Sequence, residues 1–127
     1  AFDSVVYALL EKTNDDTINY LLTLEGNGIE KKTHDSRTYI FWAAYKGNIE
    51  IMKLLIEKGA KINLRDSHGN TPVTFAAATG QKNTEVYELF EKYGVILGDE
   101  VNKNGVNSLL LIVKTSPLLK KTSIFVL

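Results

Sequence analysis

The sequence contains no cysteine, only two prolines and a single tryptophan. Without cysteine, a disulfide framework, a catalytic thiol and a thiolate zinc site are all excluded. Basic and acidic side chains number fifteen each, so the net charge predicts neither a nucleic-acid binder nor a membrane-surface binder. The longest apolar run, "LLLIV", is far shorter than the roughly 20 residues that a membrane-spanning helix needs. We therefore expect one soluble domain without a membrane partner.

The chain begins with Ala1 rather than methionine. This start fits a shortened sequence and equally a mature protein that has lost a signal peptide. The compartment therefore stays open between the cytoplasm and an exported location.

The sequence resembles itself at a spacing of about 33 residues, which is typical of repeat architectures. Thr38 and Gly47 recur as Thr71 and Gly80, and the alanine pair between them recurs as well. Beyond Gly80 the register slips by two within "GQKNTE", at a turn where insertions are tolerated. A fainter copy follows in "KNGVNSLLLIV".

Each copy has the pattern of two short helices. In "GNTPVTFAAATG", Thr71 is a helix cap, Pro72 suits the first helical position and Gly80 suits the end. The stretch "IEIMKLLIEKG" has the apolar spacing of a second, amphipathic helix. A helix pair this short cannot bury its apolar face alone, so the copies must stack on one another as a solenoid.

These residues resemble the ankyrin repeat family, whose pattern runs D-x-x-G-x-T-P-L-H-x-A-A and then glycine. The best copy matches it at eight positions: Asp66, Gly69, Thr71, Pro72, Val73, Ala76, Ala77 and Gly80. The resemblance implies an all-α, ankyrin-type helical repeat solenoid of about four helix pairs joined by hairpin-like turns. We predict a single domain over residues 1–127, with copies near 1–32, 33–65, 66–101 and 102–127, the first and last degenerate.

The sequence departs from the family pattern in the second and third copies. The family's histidine is replaced by Phe41 and by Thr74, so the hydrogen bonds that it supports must be made differently. Ser36 stands where the turn glycine belongs, which predicts a less regular turn. Trp42 occupies the place of a core leucine, so we expect it to pack between the inner and outer helices.

No pattern indicates catalysis or a bound cofactor. The glycines match neither phosphate-loop signature, and the adjacent "DSH" residues cannot adopt the geometry of a catalytic triad. His34 and His68 fall on successive turns, with Asp35 and Asp66 as the nearest further ligands, but a metal site needs a convergent third ligand. We therefore predict no enzyme, no metal and no cofactor.

By resemblance, the function is non-catalytic binding of a protein through the concave surface of turns and inner helices. The residues that the register assigns to this surface are His34, Asp35, Arg37, Tyr45, Lys46, Arg65, Ser67, His68, Asn70, Thr79, Lys103 and Asn104. Basic residues outnumber acidic ones among them, which favours an acidic partner. The alternative, that they are only solvated turn residues, stays open.

The C-terminal stretch "SPLLKKTSIFVL" is unusually apolar for a terminal repeat, which should present a polar face to water. It suggests self-association or continued stacking through this end. A structural or assembly role is therefore the alternative function.

Overall fold

A computed structural model describes residues 3–98, which form six α-helices in three successive pairs and no strand. The helices are α1 (Ser4–Leu10), α2 (Asp15–Leu22), α3 (Tyr39–Lys46), α4 (Ile49–Glu57), α5 (Pro72–Ala78) and α6 (Thr84–Lys92). The prediction of an all-α repeat fold is confirmed. None of these helices has the length and apolarity needed to cross a membrane. The fourth copy, Lys103, Asn104 and the apolar C-terminal end lie outside the described residues.

The six helices form two layers. The first helix of each pair contacts the first helix of the next pair, so α1, α3 and α5 make an inner layer. The second helices, α2, α4 and α6, make an outer layer in the same order. Alanines of the inner layer, such as Ala43 and Ala76, are fully buried, and their small side chains let neighbouring helices approach closely. Larger side chains fill the space around them, among them Leu9, Phe41 and Met52.

An asparagine is the N-cap residue of each of the three outer helices. Asn14 accepts hydrogen bonds from the backbone N–H groups of Asp16 and Thr17 at the start of α2. Asn48 and Asn83 cap α4 and α6 in the same way. The two extra residues of the third copy precede Asn83, and there the Gln81 amide donates to the carbonyls of Ala44 and Tyr45 at 3.0 and 2.8 Å. The insertion thus supplies donors to two carbonyls at the end of α3, and the carbonyl of Ala44 also accepts from the Gly47 N–H.

Thr71 and Thr38 occupy the same position before α5 and α3 but have different hydrogen bonds. The Thr71 backbone N–H donates to the Thr74 hydroxyl at 2.7 Å, and the Thr71 hydroxyl accepts from the Thr74 N–H at 3.4 Å. This is a capping box, and Thr74 forms it at the position where the family pattern has histidine. Phe41 replaces that partner in the second copy, and the buried hydroxyl of Thr38 has no hydrogen-bond partner within residues 3–98.

This contrast predicts unequal effects of the same substitution. Thr71→Val is expected to lower the free energy of unfolding by about 1–2 kcal/mol, because it removes a helix cap. Thr38→Val removes a buried hydroxyl that forms no hydrogen bond, so a change within about 0.5 kcal/mol is expected. Urea denaturation of both variants measures the difference. Equal losses would mean that the capping box contributes nothing specific.

The first pair keeps the geometry of the others although its sequence has diverged. After α3 and α5 the chain turns back at Gly47 and Gly80, whose φ angles are 70° and 85°. After α1 the same left-handed conformation is adopted by Lys12, with φ at 54°. A side chain in that conformation costs about 1 kcal/mol, so the packing of the pair, rather than local preference, determines this turn.

Candidate functional site

Arg37 joins two successive turns. Its Nε donates to Asp66 Oδ2 at 2.9 Å, and its Nη1 lies 3.2 Å from Asp35 Oδ2. The Asp66 side chain has no solvent exposure, and its other oxygen accepts from the backbone N–H groups of His68 and Asn70, each at 2.9 Å. A buried carboxylate therefore ties its own turn together and binds the guanidinium of the preceding one.

Arg37, which the register assigns to the predicted binding surface, is buried. Only 9% of the residue is exposed, and its guanidinium lies over the ring of Phe75, 4.1 Å from the centroid. Two carboxylates and an aromatic face satisfy this cation within the protein. Its charge therefore does not make the binding surface basic.

The turn of the second copy is less regular than that of the third, as Ser36 predicts. Asp35 and Ser36 both adopt left-handed conformations, with φ angles of 59° and 61°, where the third copy has Gly69 at 82°. The carbonyl of Asp35 accepts from the backbone N–H of Ser67 at 2.8 Å, which links the two turns directly. Strained backbone persists only when surrounding contacts hold it, and this link is one such contact.

The two histidines flank one carboxylate. His34 Nε2 and His68 Nε2 lie 3.4 and 3.6 Å from Asp35 Oδ2, and their side chains are 82% and 50% exposed. The prediction that they are exposed turn residues on neighbouring turns matches this placement. Within residues 3–98 no group of three or more histidine and carboxylate residues is arranged to hold a metal ion.

The remaining predicted surface residues differ in how accessible they are. Exposed residues among them are Tyr45, Arg65, Ser67 and Thr79, and half-buried ones are Lys46 and Asn70. The carboxamide oxygen of Asn70 is buried without a hydrogen-bond partner in the described part of the chain, so it does not point toward solvent. Arg65 donates to the carbonyl of Gly69 at 2.6 Å and thus helps to close its own turn. We call the accessible set His34, Tyr45, Ser67, His68 and Thr79 the turn-and-inner-helix surface.

Trp42 is the main residue that the sequence interpretation misplaced. It is half-buried and packs edge-to-face against Phe75 of the neighbouring inner helix, with ring centroids 5.6 Å apart. Its indole N–H donates to the Thr33 hydroxyl at 2.8 Å, in the turn before α3. The side chain therefore lies on the turn side of the inner layer, held in one orientation next to Tyr45, rather than in the core between the two layers.

An open groove of about 670 Å³ lies beside this tryptophan, between α1 and the turn before α3. Its apolar lining side chains are buried or half-buried: Val6, Leu10 and Trp42. Its basic lining side chains are exposed: Lys31, Lys32 and His34. We call this site the Trp42 groove. The sequence did offer a signal for it, because Lys32 aligns with the predicted surface residue Arg65 at the repeat spacing.

Asp3 also lines the groove, but its carboxylate is paired with Lys31 and accepts hydrogen bonds from other groups of the protein. Burial would raise the pKa of this carboxyl, and hydrogen bonds from Lys31, Tyr39 and the backbone N–H groups of Val6 and Val5 outweigh that effect, so its pKa is lowered. Lys31 Nζ lies 2.6 Å from Asp3 Oδ2, and the Tyr39 hydroxyl donates to the same atom at 2.9 Å. The carboxylate therefore caps α1 and joins it to α3.

The lowered pKa of Asp3 gives a prediction for the pH dependence of stability. The folded state favours the ionised carboxylate, so its contribution is fully present above the unfolded-state pKa and is lost as the pH falls through the lower, folded-state pKa. The difference in unfolding free energy between the native protein and Asp3→Asn should therefore be largest near neutral pH and shrink below about pH 4. Chemical denaturation across this range measures it. A difference that does not change with pH would contradict the prediction.

Comparisons with known proteins agree with this architecture. A family model described as ankyrin repeats, in three copies, matches residues 5–104. In Arabidopsis thaliana, serine/threonine-protein kinase VIK is 31% identical over 77 residues, and serine/threonine-protein kinase 12 is 31% identical over 88 residues. These alignments cover 61% and 68% of this chain. The human ankyrin repeat domain-containing protein 29 is 46% identical over 41 residues, or 32% of this chain.

The aligned stretches are 17% of kinase VIK, 19% of kinase 12 and 14% of the human protein. The chain therefore spans less than a fifth of each. The kinase activity that two of the names carry is therefore not transferred to this chain. The match to the repeat model covers most of the sequence, and within it lie stacked helix pairs joined by hydrogen-bonded turns. By these two findings the chain belongs to the ankyrin repeat family, whose repeats generally serve as protein-binding modules rather than as enzymes.

Proposed function

We propose that this protein binds a partner protein through the turn-and-inner-helix surface. The observation that carries the proposal is the Arg37 link between Asp35 and Asp66, because it fixes two successive turns relative to each other. The accessible side chains beside it, including His34 and His68, are therefore presented from a rigid frame. A preorganised surface loses little conformational entropy when a partner binds.

Tyr45 supplies an aromatic anchor on this surface. It is 37% exposed, and its ring rests on Phe75 and Trp42 with centroids 5.7 and 6.3 Å away. Lys46 Nζ lies 5.8 Å from the centroid of the same ring. Partly exposed tyrosines that are supported from beneath often contribute strongly to protein interfaces. The partner that suits this surface presents apolar groups and acidic groups together.

A matched pair of tyrosine variants tests the proposal. Tyr45 and Tyr20 are both exposed, but Tyr45 lies on the inner helix α3 and Tyr20 on the outer helix α2. Partners captured by the native protein should bind Tyr45→Ala about tenfold more weakly, whereas Tyr20→Ala should retain native affinity. Thermal unfolding checks that both variants are folded. Equal affinities of the two variants would exclude the inner-helix surface as the binding site.

A further inference from the structure

We propose that the Trp42 groove binds an extended acidic segment of the partner, with one large apolar side chain seated against Trp42 and carboxylates beside it. This inference rests on the proposed protein-binding function and specifies its chemistry. The groove volume of about 670 Å³ falls within the range of roughly 300–1,000 Å³ that is usual for ligand sites. Its lining combines apolar side chains with exposed cations, so the occupant must offer both kinds of contact.

The apolar part of the groove is already organised. Trp42 is held by its hydrogen bond to Thr33 and by its edge-to-face contact with Phe75, so binding need not restrict its rotamers further. Val6 is 4% exposed and Leu10 is half-buried, and both line the groove from α1. A large apolar side chain of a partner would remove this surface from water, at about 25 cal/mol per Å².

The charges around the groove favour carboxylates. The lining includes two lysines and one histidine but a single carboxylate, Asp3. That carboxylate already accepts hydrogen bonds from Lys31, Tyr39 and the backbone, so its charge is largely offset. Lys32 is exposed and forms no ion pair within residues 3–98. An excess of positive charge beside an apolar surface attracts acidic groups and orients them.

This composition distinguishes the proposed occupant from other anions. A free phosphate would use the cations and leave the apolar lining in contact with water. A nucleic acid would require a broad basic surface, whereas the whole chain has equal numbers of basic and acidic residues. A peptide in which acidic residues flank an apolar one can use both parts of the lining together.

A display library of random short peptides, selected on the folded chain, tests the proposal. Enriched peptides should carry a large apolar residue with aspartate or glutamate next to it. Because Trp42 is the only tryptophan, a synthetic copy of an enriched peptide should change the intrinsic tryptophan emission when it binds. Its affinity should fall as salt rises. Lys32→Glu should weaken binding about tenfold, whereas Lys58→Glu, an exposed lysine after α4, should not.

Several outcomes would overturn the groove as the site. They are enriched peptides that lack acidic residues, equal affinities of the two lysine variants, and an unchanged Trp42 emission. Binding that is lost in Tyr45→Ala but not in Lys32→Glu would overturn the groove while leaving the proposed function intact. A library that yields no enriched peptide, while partner capture still depends on Tyr45, would also overturn the groove and leave the proposed function intact. Binding of phosphatidylserine vesicles that depends on Lys32, without any peptide binding, would replace the peptide with a membrane surface.

Discussion

Asp66→Ala is expected to lower the free energy of unfolding by about 3–5 kcal/mol, because it leaves the buried Arg37 guanidinium without its main partner. The Asp66 side chain is fully buried and accepts hydrogen bonds from Arg37 and from two backbone N–H groups. Truncation leaves all three donors without this acceptor, and each loss costs free energy. A typical domain has about 5–15 kcal/mol of stability, so the loss is large. Urea denaturation followed by circular dichroism measures it.

Asp16→Ala is the matched control. Asp16 is exposed in the first turn of α2, so a change within about 0.5 kcal/mol is expected there. Asp66→Asn keeps the size of the side chain and one acceptor oxygen for the turn, and it provides a milder variant should Asp66→Ala fail to fold. Comparable effects of the substitutions at both positions would show that the link between the turns does not stabilise the stack.

Much of the helical framework follows from the sequence because backbone requirements determine it. Gly47 and Gly80 lie where left-handed turns end the inner helices, and Pro72 lies where a missing N–H costs nothing. Ala43 and Ala76 lie where neighbouring helices approach closely. Each of these demands selects one or two residue types, so a single chain is enough to reveal the repeat.

The site was harder to predict because it depends on contacts between copies. Arg37 was expected to be exposed, since nothing close to it in sequence requires its burial. Its partner Asp66 is 29 residues away, and only the stacking of the turns brings the two together. The position of Trp42 likewise depends on Phe75 in the next copy and on Thr33 in the preceding turn. A repeat pattern gives the position of a side chain along the stack but not the direction in which it points.

The corrected positions change where the binding charges lie. The sequence interpretation attributed the basic character of the surface to Arg37, Lys46, Arg65 and Lys103. Of these, Arg37 and Arg65 help to hold the turns together, and Lys103 lies outside the described residues. Lys46 lies beside Tyr45, and Lys32 lines the Trp42 groove as an exposed cation next to the His34 imidazole. Thus the charges that form hydrogen bonds within the turns make the frame rigid, and the exposed lysine in the groove next to it is left for recognition.

Phe75→Ala is expected to lower the free energy of unfolding by about 3–5 kcal/mol, because it opens a cavity between neighbouring repeats. The ring is 6% exposed and contacts Phe41, Trp42 and Tyr45 with centroids 6.1, 5.6 and 5.7 Å away. The Arg37 guanidinium also rests on it, so truncation removes support from both the aromatic cluster and the link between turns. Urea denaturation measures the loss.

The same variant should also alter the groove, and the single tryptophan reports this. Without the Phe75 ring, Trp42 becomes more hydrated, so its emission maximum should shift to longer wavelength in the folded state. Phe75→Leu fills most of the cavity and should cost about 1–1.5 kcal/mol with a smaller shift. Tyr93→Ala, at an exposed aromatic beyond α6, should change stability by no more than about 0.5 kcal/mol. If Phe75→Ala behaves like Tyr93→Ala, then the aromatic cluster does not hold the Trp42 groove in shape.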